Sequence, residues 1–196
     1  YPTYRAVDVQ DSCLIKYNNH LWEDPHMPTG LKQTSSVVAI GFDVTEPAAN
    51  TFTQDSIDLN LSPLDREVFV VLAVNLDVSA PDAIAATNTA TRGGLTTTSQ
   101  TAMPLLSDSN CLSRITSEIM SAGFVDGGVG FQSQALETPP STLEYIGIIA
   151  TNDFFVQVQG ANNANAKGMS GKLYGYRAVA NADIYAALVQ SEVLSA

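Results

Sequence analysis

The sequence predicts a mainly β protein: an antiparallel, jelly-roll-like β-sandwich with two short helices at about residues 108–122 and 182–192. Apolar and polar residues alternate over Ser56–Leu61, as in a strand with one buried face. Residues 67–78 are apolar on both faces for most of their length, which is typical of a central strand. Seven or eight short strand signals separated by turn residues favour a sandwich or barrel over βαβ units. A layered α+β fold is the alternative.

The first part of the chain has no clean hydrophobic period. Prolines and a glycine interrupt residues 1–34, which we interpret as an N-terminal arm or cover segment on a single β-rich domain of residues 35–196. Chain ends fray unless something holds them. We therefore expect Tyr1 and Ala196 to pack against their own domain or against a neighbouring subunit.

Strand signals follow closely after the arm. Residues 36–44 place alternate apolar side chains on one face, and residues 56–61 repeat this pattern. Residues 67–78 are expected to form the middle of the core. Residues 79–93 read as a long surface loop, and a short threonine-rich strand is predicted at about 95–101. In the central strand, one predicted face consists of Val68, Val70, Leu72, Val74, Leu76 and Val78, and the other of Phe69, Val71 and Ala73.

The second half is predicted to contain both helices. Leu112, Ile115 and Ile119 recur at helical spacing, with a cap at Ser107 or Asp108 and a stop at Gly123. Asn181 is the predicted cap of the helix over 182–192. Further strands are expected near 129–135, 143–150, 153–160 and 172–180, with residues 161–171 as a flexible polar hairpin loop.

Composition excludes several functions. Nine Lys and Arg residues stand against 20 Asp and Glu residues, so the formal net charge is −11. Because phosphate neutralisation dominates nucleic-acid affinity, no direct nucleic-acid binding is expected from this acidic protein. The longest apolar run, Val68–Val74, is far shorter than the roughly 20 residues of a membrane helix, and no signal peptide is visible.

No recognisable catalytic constellation is present in the sequence. His20 and His26 lie near two carboxylates, but their spacing matches no metal-binding signature and Pro25 interrupts any helix there. Cys13 and Cys111 form no C-x-x-C pair and are interpreted as buried small side chains, with a disulfide left open. The glycine clusters match no nucleotide-binding motif. We therefore predict no catalytic, cofactor-binding or metal-binding residues and no cofactor.

Aromatic residues are the candidates for contacts between subunits. On a strand, neighbouring side chains point to opposite faces, so some of them must point away from the main core. Tyrosine and arginine are enriched where proteins meet. The alternative, given equal weight, is that a helix or loop of the same chain, such as the C-terminal helix, covers the sheet face on which these side chains lie. The interface candidates are Tyr1, Tyr4, Trp22, Phe155, Tyr174, Tyr176 and Arg177.

These features favour a structural, self-assembling subunit without catalytic activity. The specific hypothesis is a virion capsid or capsid-associated protein, in which copies of this chain contact one another and other structural proteins of the particle. Scarce charge suits closely packed copies, since unpaired charge is costly to bury between subunits. The alternatives are an extracellular binding or adhesion module that recognises a ligand through its loops, secreted or on a cell surface, and an enzyme with scattered active-site residues.

Overall fold

A computed structural model describes residues 28–123, 131–136 and 143–194 of the 196-residue chain. Most of the predicted arm, together with Tyr1 and Ala196, therefore lies outside the described residues. The end of the arm segment, Leu31–Gln33, forms the first strand of a sheet.

Two antiparallel sheets and one α-helix make up the described part of the chain. A 3₁₀ turn, Pro63–Asp65, precedes the fourth strand. The elements are β1 Leu31–Gln33, β2 Val38–Thr45, β3 Thr53–Asp58, β4 Glu67–Val78, β5 Thr89–Thr96, β6 Cys111–Met120, β7 Phe131–Leu136, β8 Gly147–Ile149, β9 Asp153–Ala161, β10 Gly168–Ala180 and α1 Ala182–Leu194.

The strand order is that of a jelly roll. One sheet has the order β2–β10–β4–β8, with β1 pairing with the far end of β10, and the other has the order β3–β9–β5–β6–β7. Strands from the two halves of the chain therefore alternate within each sheet, as two interlocked Greek keys require. The predicted jelly-roll-like sandwich is confirmed.

The central strand has the predicted bounds but not the predicted faces. Between Val71 and Ala73 the pairing of β4 with β10 skips Leu72, which forms a β-bulge. Phe69 and Val71 therefore pack in the core between the sheets, together with Val74. Beyond the bulge, the side chains that face the core are those predicted for the opposite face. The sequence does not reveal this change, because both faces of the strand are apolar.

The outer face of the first sheet is covered by α1. Val68, Val70 and Tyr176 form a second apolar cluster, against which Ile184 and Leu188 of the helix pack. The predicted helix over 182–192 and its cap are confirmed, because the Asn181 Oδ1 atom accepts the Ile184 N–H at 2.9 Å.

The predicted helix over 108–122 is wrong, since Cys111–Met120 within this range form β6. The pairing of β6 with β5 skips Leu112, so a second β-bulge places both Leu112 and Ile115 in the core. On a regular strand, residues three apart face opposite sides. The bulge thus reproduces the spacing that suggested a helix, while β-branched residues such as Ile115 and Thr116 suit the strand.

Two loops are shorter than the sequence predicted. The strand placed at 95–101 begins at Thr89 and ends at Thr96, so the preceding loop covers only residues 79–88. β9 ends at Ala161 and β10 begins at Gly168. Six residues therefore lie between these strands, whereas the sequence predicted a loop of eleven. Within the described residues, no helix is both long and apolar enough to cross a membrane.

Candidate subunit interface

The predicted interface residues Tyr1, Tyr4 and Trp22 lie outside the described residues. Tyr174 and Tyr176 both point away from the core between the sheets, as predicted. Tyr176 is only 5% exposed because α1 covers it, so it has no surface to offer a neighbouring subunit. Tyr174 is half-buried and is paired with Ala73 and Ala39 on the neighbouring strands.

Arg177 braces its own chain. Its Nη2 atom donates a hydrogen bond to the Leu59 carbonyl oxygen at 2.8 Å, and its Nη1 atom lies 4.0 Å from a Glu67 carboxylate oxygen. The backbone N–H of Arg177 is also satisfied, by the Ser35 hydroxyl at 2.9 Å. Phe155 is half-buried on the outer face of the second sheet, where it pairs with Thr96. The structure therefore disperses the candidate residues over different surfaces.

Exposed leucines mark one end of the sandwich. Leu64 lies in the connection from β3 to β4 and is 96% exposed, and Leu105 and Leu106 lie in the connection from β5 to β6 and are more than half exposed. Both connections join strands at the same end of the jelly roll. We call Leu64, Leu105 and Leu106 the leucine end. Sequence patterns did not single them out, because all three lie between the predicted strands and helices.

Hydrogen bonds hold these leucines in fixed turns. Leu64 is the middle residue of the 3₁₀ turn, which is closed by a bond from the Asp65 N–H to the Ser62 carbonyl at 3.2 Å and from the Ser62 hydroxyl to the Asp65 carboxylate at 2.7 Å. The Leu105 N–H donates to the Asp108 carboxylate at 2.7 Å. Apolar groups that are ordered before contact lose less conformational entropy when a partner covers them.

The opposite end is held by a polar cluster of Glu46, Asn50, Asp82, Asn163 and Lys167, in which Glu46, Asn163 and Lys167 are buried. The Lys167 ammonium lies 2.6 Å from the Asp82 Oδ1 atom and 3.0 Å from the Ala80 carbonyl oxygen. Its hydrogen bond to Asp82 is the main reason why the pKa of that carboxyl falls to about 2 from its ordinary 3.8.

Asparagine side chains connect three loops within this cluster. Asn163 accepts the Asp82 N–H at 2.9 Å and donates to the Ala90 carbonyl oxygen at 2.7 Å, while Asn50 accepts the Asn163 N–H at 2.7 Å. The loop between β9 and β10, predicted to be flexible, is therefore tied down by buried hydrogen bonds. The many asparagines of this loop suggested solvent exposure. Their hydrogen bonds to residues of distant loops show that they hold the loop in place instead.

Two shallow depressions lie on the sheet surfaces. One, of about 220 Å³, contains the Arg92–Glu118 ion pair at 3.5 Å, and the other, of about 270 Å³, lies between Asp43 and Asp77. Small-molecule sites usually enclose about 300–1,000 Å³. Among the described residues, no group of three or more His, Cys, Asp or Glu side chains is placed to hold a metal ion. Cys111 is half-buried in β6, and Cys13 is not among the described residues.

Fold and surface together define a β-sandwich of jelly-roll topology with exposed leucines at one end and a polar cluster at the other. No family model matches the chain, and no curated protein matches it. Among solved structures, this chain is similar to a chain of the structure of Desmodium yellow mottle tymovirus. The two are 12% identical, the match covers 80% of this chain and 95% of that chain, and the TM-score is 0.28. A second is a tailspike protein, gp49, of Acinetobacter baumannii bacteriophage Fri1, a capsular polysaccharide depolymerase, at 9% identity, over 63% and 20% of the two chains, with a TM-score of 0.15. Neither likeness is close enough to transfer a function.

Proposed function

We propose that this protein is a structural, self-assembling subunit, specifically a virion capsid or capsid-associated protein, located in the particle and without catalytic activity. Its partners are copies of itself and other structural proteins of the particle. The observation that supports the proposal most directly is the leucine end, where Leu64, Leu105 and Leu106 project from hydrogen-bonded turns.

Energetics favour a protein partner at this end. Fully burying one leucine side chain contributes about 1.5–3 kcal/mol, so covering three exposed leucines supplies several kcal/mol towards association. Identical copies of a chain with a net charge of −11 repel one another, and their contact must therefore rely on apolar surface. Exposed apolar groups that are held in ordered turns at one end of a domain are typical of interaction sites.

The charge balance also supports a particular kind of position in a particle. With nine Lys and Arg residues against 20 Asp and Glu residues, this chain cannot neutralise a genome. Other proteins, polyamines or ions must do so. The subunit thus suits an outer layer, a spike, or the shell of a double-stranded DNA particle.

The experiment measures the mass of the full-length protein in solution and the effect of charge at the leucine end. Leu64→Glu and Leu106→Glu introduce a carboxylate where the subunit contact is proposed. Met120→Glu is the matched control, because Met120 is also about half exposed but lies at the opposite end of β6. Mass photometry and sedimentation velocity give the distribution of species, and circular dichroism checks that each variant is folded.

The parent chain and Met120→Glu should form large assemblies, and both leucine variants should shift to smaller species while remaining folded. A parent chain that stays monomeric at all concentrations, or leucine variants that assemble like the parent, would overturn the proposal. A monomer that instead binds an extracellular ligand would identify a binding module.

A further inference from the structure

Helix α1 is apolar on both of its faces. Its inner face packs Ile184, Tyr185, Leu188 and Val189 against the first sheet. Its outer face exposes Ala186, Ala187, Gln190 and Ser191, with Val193 at 66% and Leu194 at 77% exposure. A helix that is apolar all round is normally covered on all sides.

Charge is nearly absent from this outer face. All residues of α1 are described, and the helix carries only two ionisable carboxylates. Asp183 lies in the first turn, and Glu192 is turned inward, where its Oε1 atom accepts the Ala150 N–H at 2.9 Å. Apart from the uncharged polar side chains Gln190 and Ser191, the rest of the outer face offers a surface of small and aliphatic side chains.

The chain enters the described domain directly beside α1. A turn closed by the Leu31 N–H and the Pro28 carbonyl at 3.2 Å places Gly30 against the start of the helix, where the Asn181 N–H donates to the Gly30 carbonyl at 3.1 Å. Gly30 has a φ of 85°, and a Cβ there would lie 2.2 Å from the Ile184 Cδ1 atom. The described chain therefore begins beside the first turn of α1.

We propose that residues 1–27 of the same chain cover the outer face of α1, with Trp22 among the residues in contact. Eight peptide steps lead from Trp22 to Gly30, a span of up to about 27 Å. The helix from Ile184 to Leu194 is about 15 Å long. Trp22 therefore reaches any point along the helix. The segment also carries Leu14, Ile15, Tyr17 and Leu21, which suit an uncharged apolar surface.

Size favours a segment over a second copy as the occupant. The outer face of a 13-residue helix is about 20 Å long and about 10 Å wide, or about 200 Å². A stable dimer needs about 800 Å² from each partner. The face is too small for a dimer contact by itself, whereas a peptide segment that is already tethered at Gly30 fits it.

Tryptophan fluorescence of the full-length chain tests the proposal, because Trp22 is the only tryptophan in the sequence. Ala187→Glu and Val193→Glu each place a charge on the outer face of α1 without touching its inner face. Leu106→Glu is the matched control, since it adds the same charge to an exposed leucine in the connection between β5 and β6 of the second sheet, whereas α1 packs on the first sheet. This inference is independent of the proposed function, and the Leu106 variant separates the two.

In the parent chain, Trp22 emission should lie at short wavelength, resist acrylamide quenching and not change on dilution. Both α1 variants should shift the emission to longer wavelength and raise the quenching constant several-fold, with the circular dichroism spectrum retained. Leu106→Glu should leave the emission unchanged. Emission typical of a solvated tryptophan in the parent, or no response to either α1 variant, would overturn the proposal. A shift that appears only on dilution would assign the face to the segment of a second copy, against the proposal.

Discussion

Removal of the Glu46 carboxylate should strongly destabilise the domain. Glu46 is 3% exposed and follows β2 directly. Its Oε1 atom accepts the Gly160 N–H at 2.6 Å and its Oε2 atom accepts the Lys167 N–H at 2.8 Å, so one side chain spans the hairpin between β9 and β10. In Glu46→Ala, both buried N–H groups lose their acceptor. Each unsatisfied donor costs about 1–3 kcal/mol, so the expected loss in the free energy of unfolding is about 4 kcal/mol.

Urea denaturation followed by circular dichroism measures this loss. Since 1 kcal/mol corresponds to about 2–4 °C in a domain of this size, the melting temperature should fall by roughly 8–16 °C. Asp55→Ala is the control, because Asp55 is exposed on the edge strand β3 and its removal should change stability by no more than about 0.5 kcal/mol. A loss below about 1 kcal/mol in Glu46→Ala would refute the argument, since it would mean that water reaches these N–H groups and that the polar cluster is not rigid.

Three further predictions concern pH and packing. The folded-state pKa of Asp82 is lowered to about 2. The ionised Asp82 therefore stabilises the fold fully above its ordinary pKa of 3.8, and this stabilisation is lost as the pH falls towards 2. Lys167→Met should flatten this pH dependence in denaturation curves taken between these two pH values. Burial raises the pKa of Glu192 above its ordinary 4.5. The contribution of Glu192 to the free energy of unfolding is therefore favourable below pH 4.5 and is lost as the pH rises through the folded-state pKa. Glu192→Gln should raise the melting temperature at neutral pH and leave it unchanged in acid. Gly175→Ala should lower stability by about 1–3 kcal/mol, because its Cβ would lie 2.2 Å from a backbone carbonyl oxygen, whereas Gly41→Ala, with no atom within 4 Å, should be neutral in the same thermal melts.

Periodicity predicted those parts of the fold where the hydrophobic pattern is regular. The bounds of β4, the alternation along β2 and the Asn181 cap all follow from local residues. The wrong faces of β4 and the wrong helix over 108–122 have the same physical cause. A β-bulge lies at Leu72 in β4, and another lies at Leu112 in β6. A bulge depends on pairing with a distant strand, so the spacing of side chains along one segment cannot reveal it.

The candidate surfaces were less predictable than the fold. Tyr176 has the composition of an interface residue, yet α1 covers it, and whether a helix packs on a given sheet face is a tertiary property. Leu64 became notable only through its exposure in a hydrogen-bonded turn. Lys167 read as part of a polar loop because its partner Asp82 is 85 residues away in sequence. Long-range pairing of polar groups is invisible in a single sequence.

Electron cryomicroscopy of the assembly formed by the purified full-length protein tests the central claim most directly. A repeating arrangement in which Leu64, Leu105 and Leu106 are buried against a neighbouring subunit is the predicted result. Solitary molecules on the grid at every concentration, or an assembly that leaves all three leucines in solvent, would contradict it.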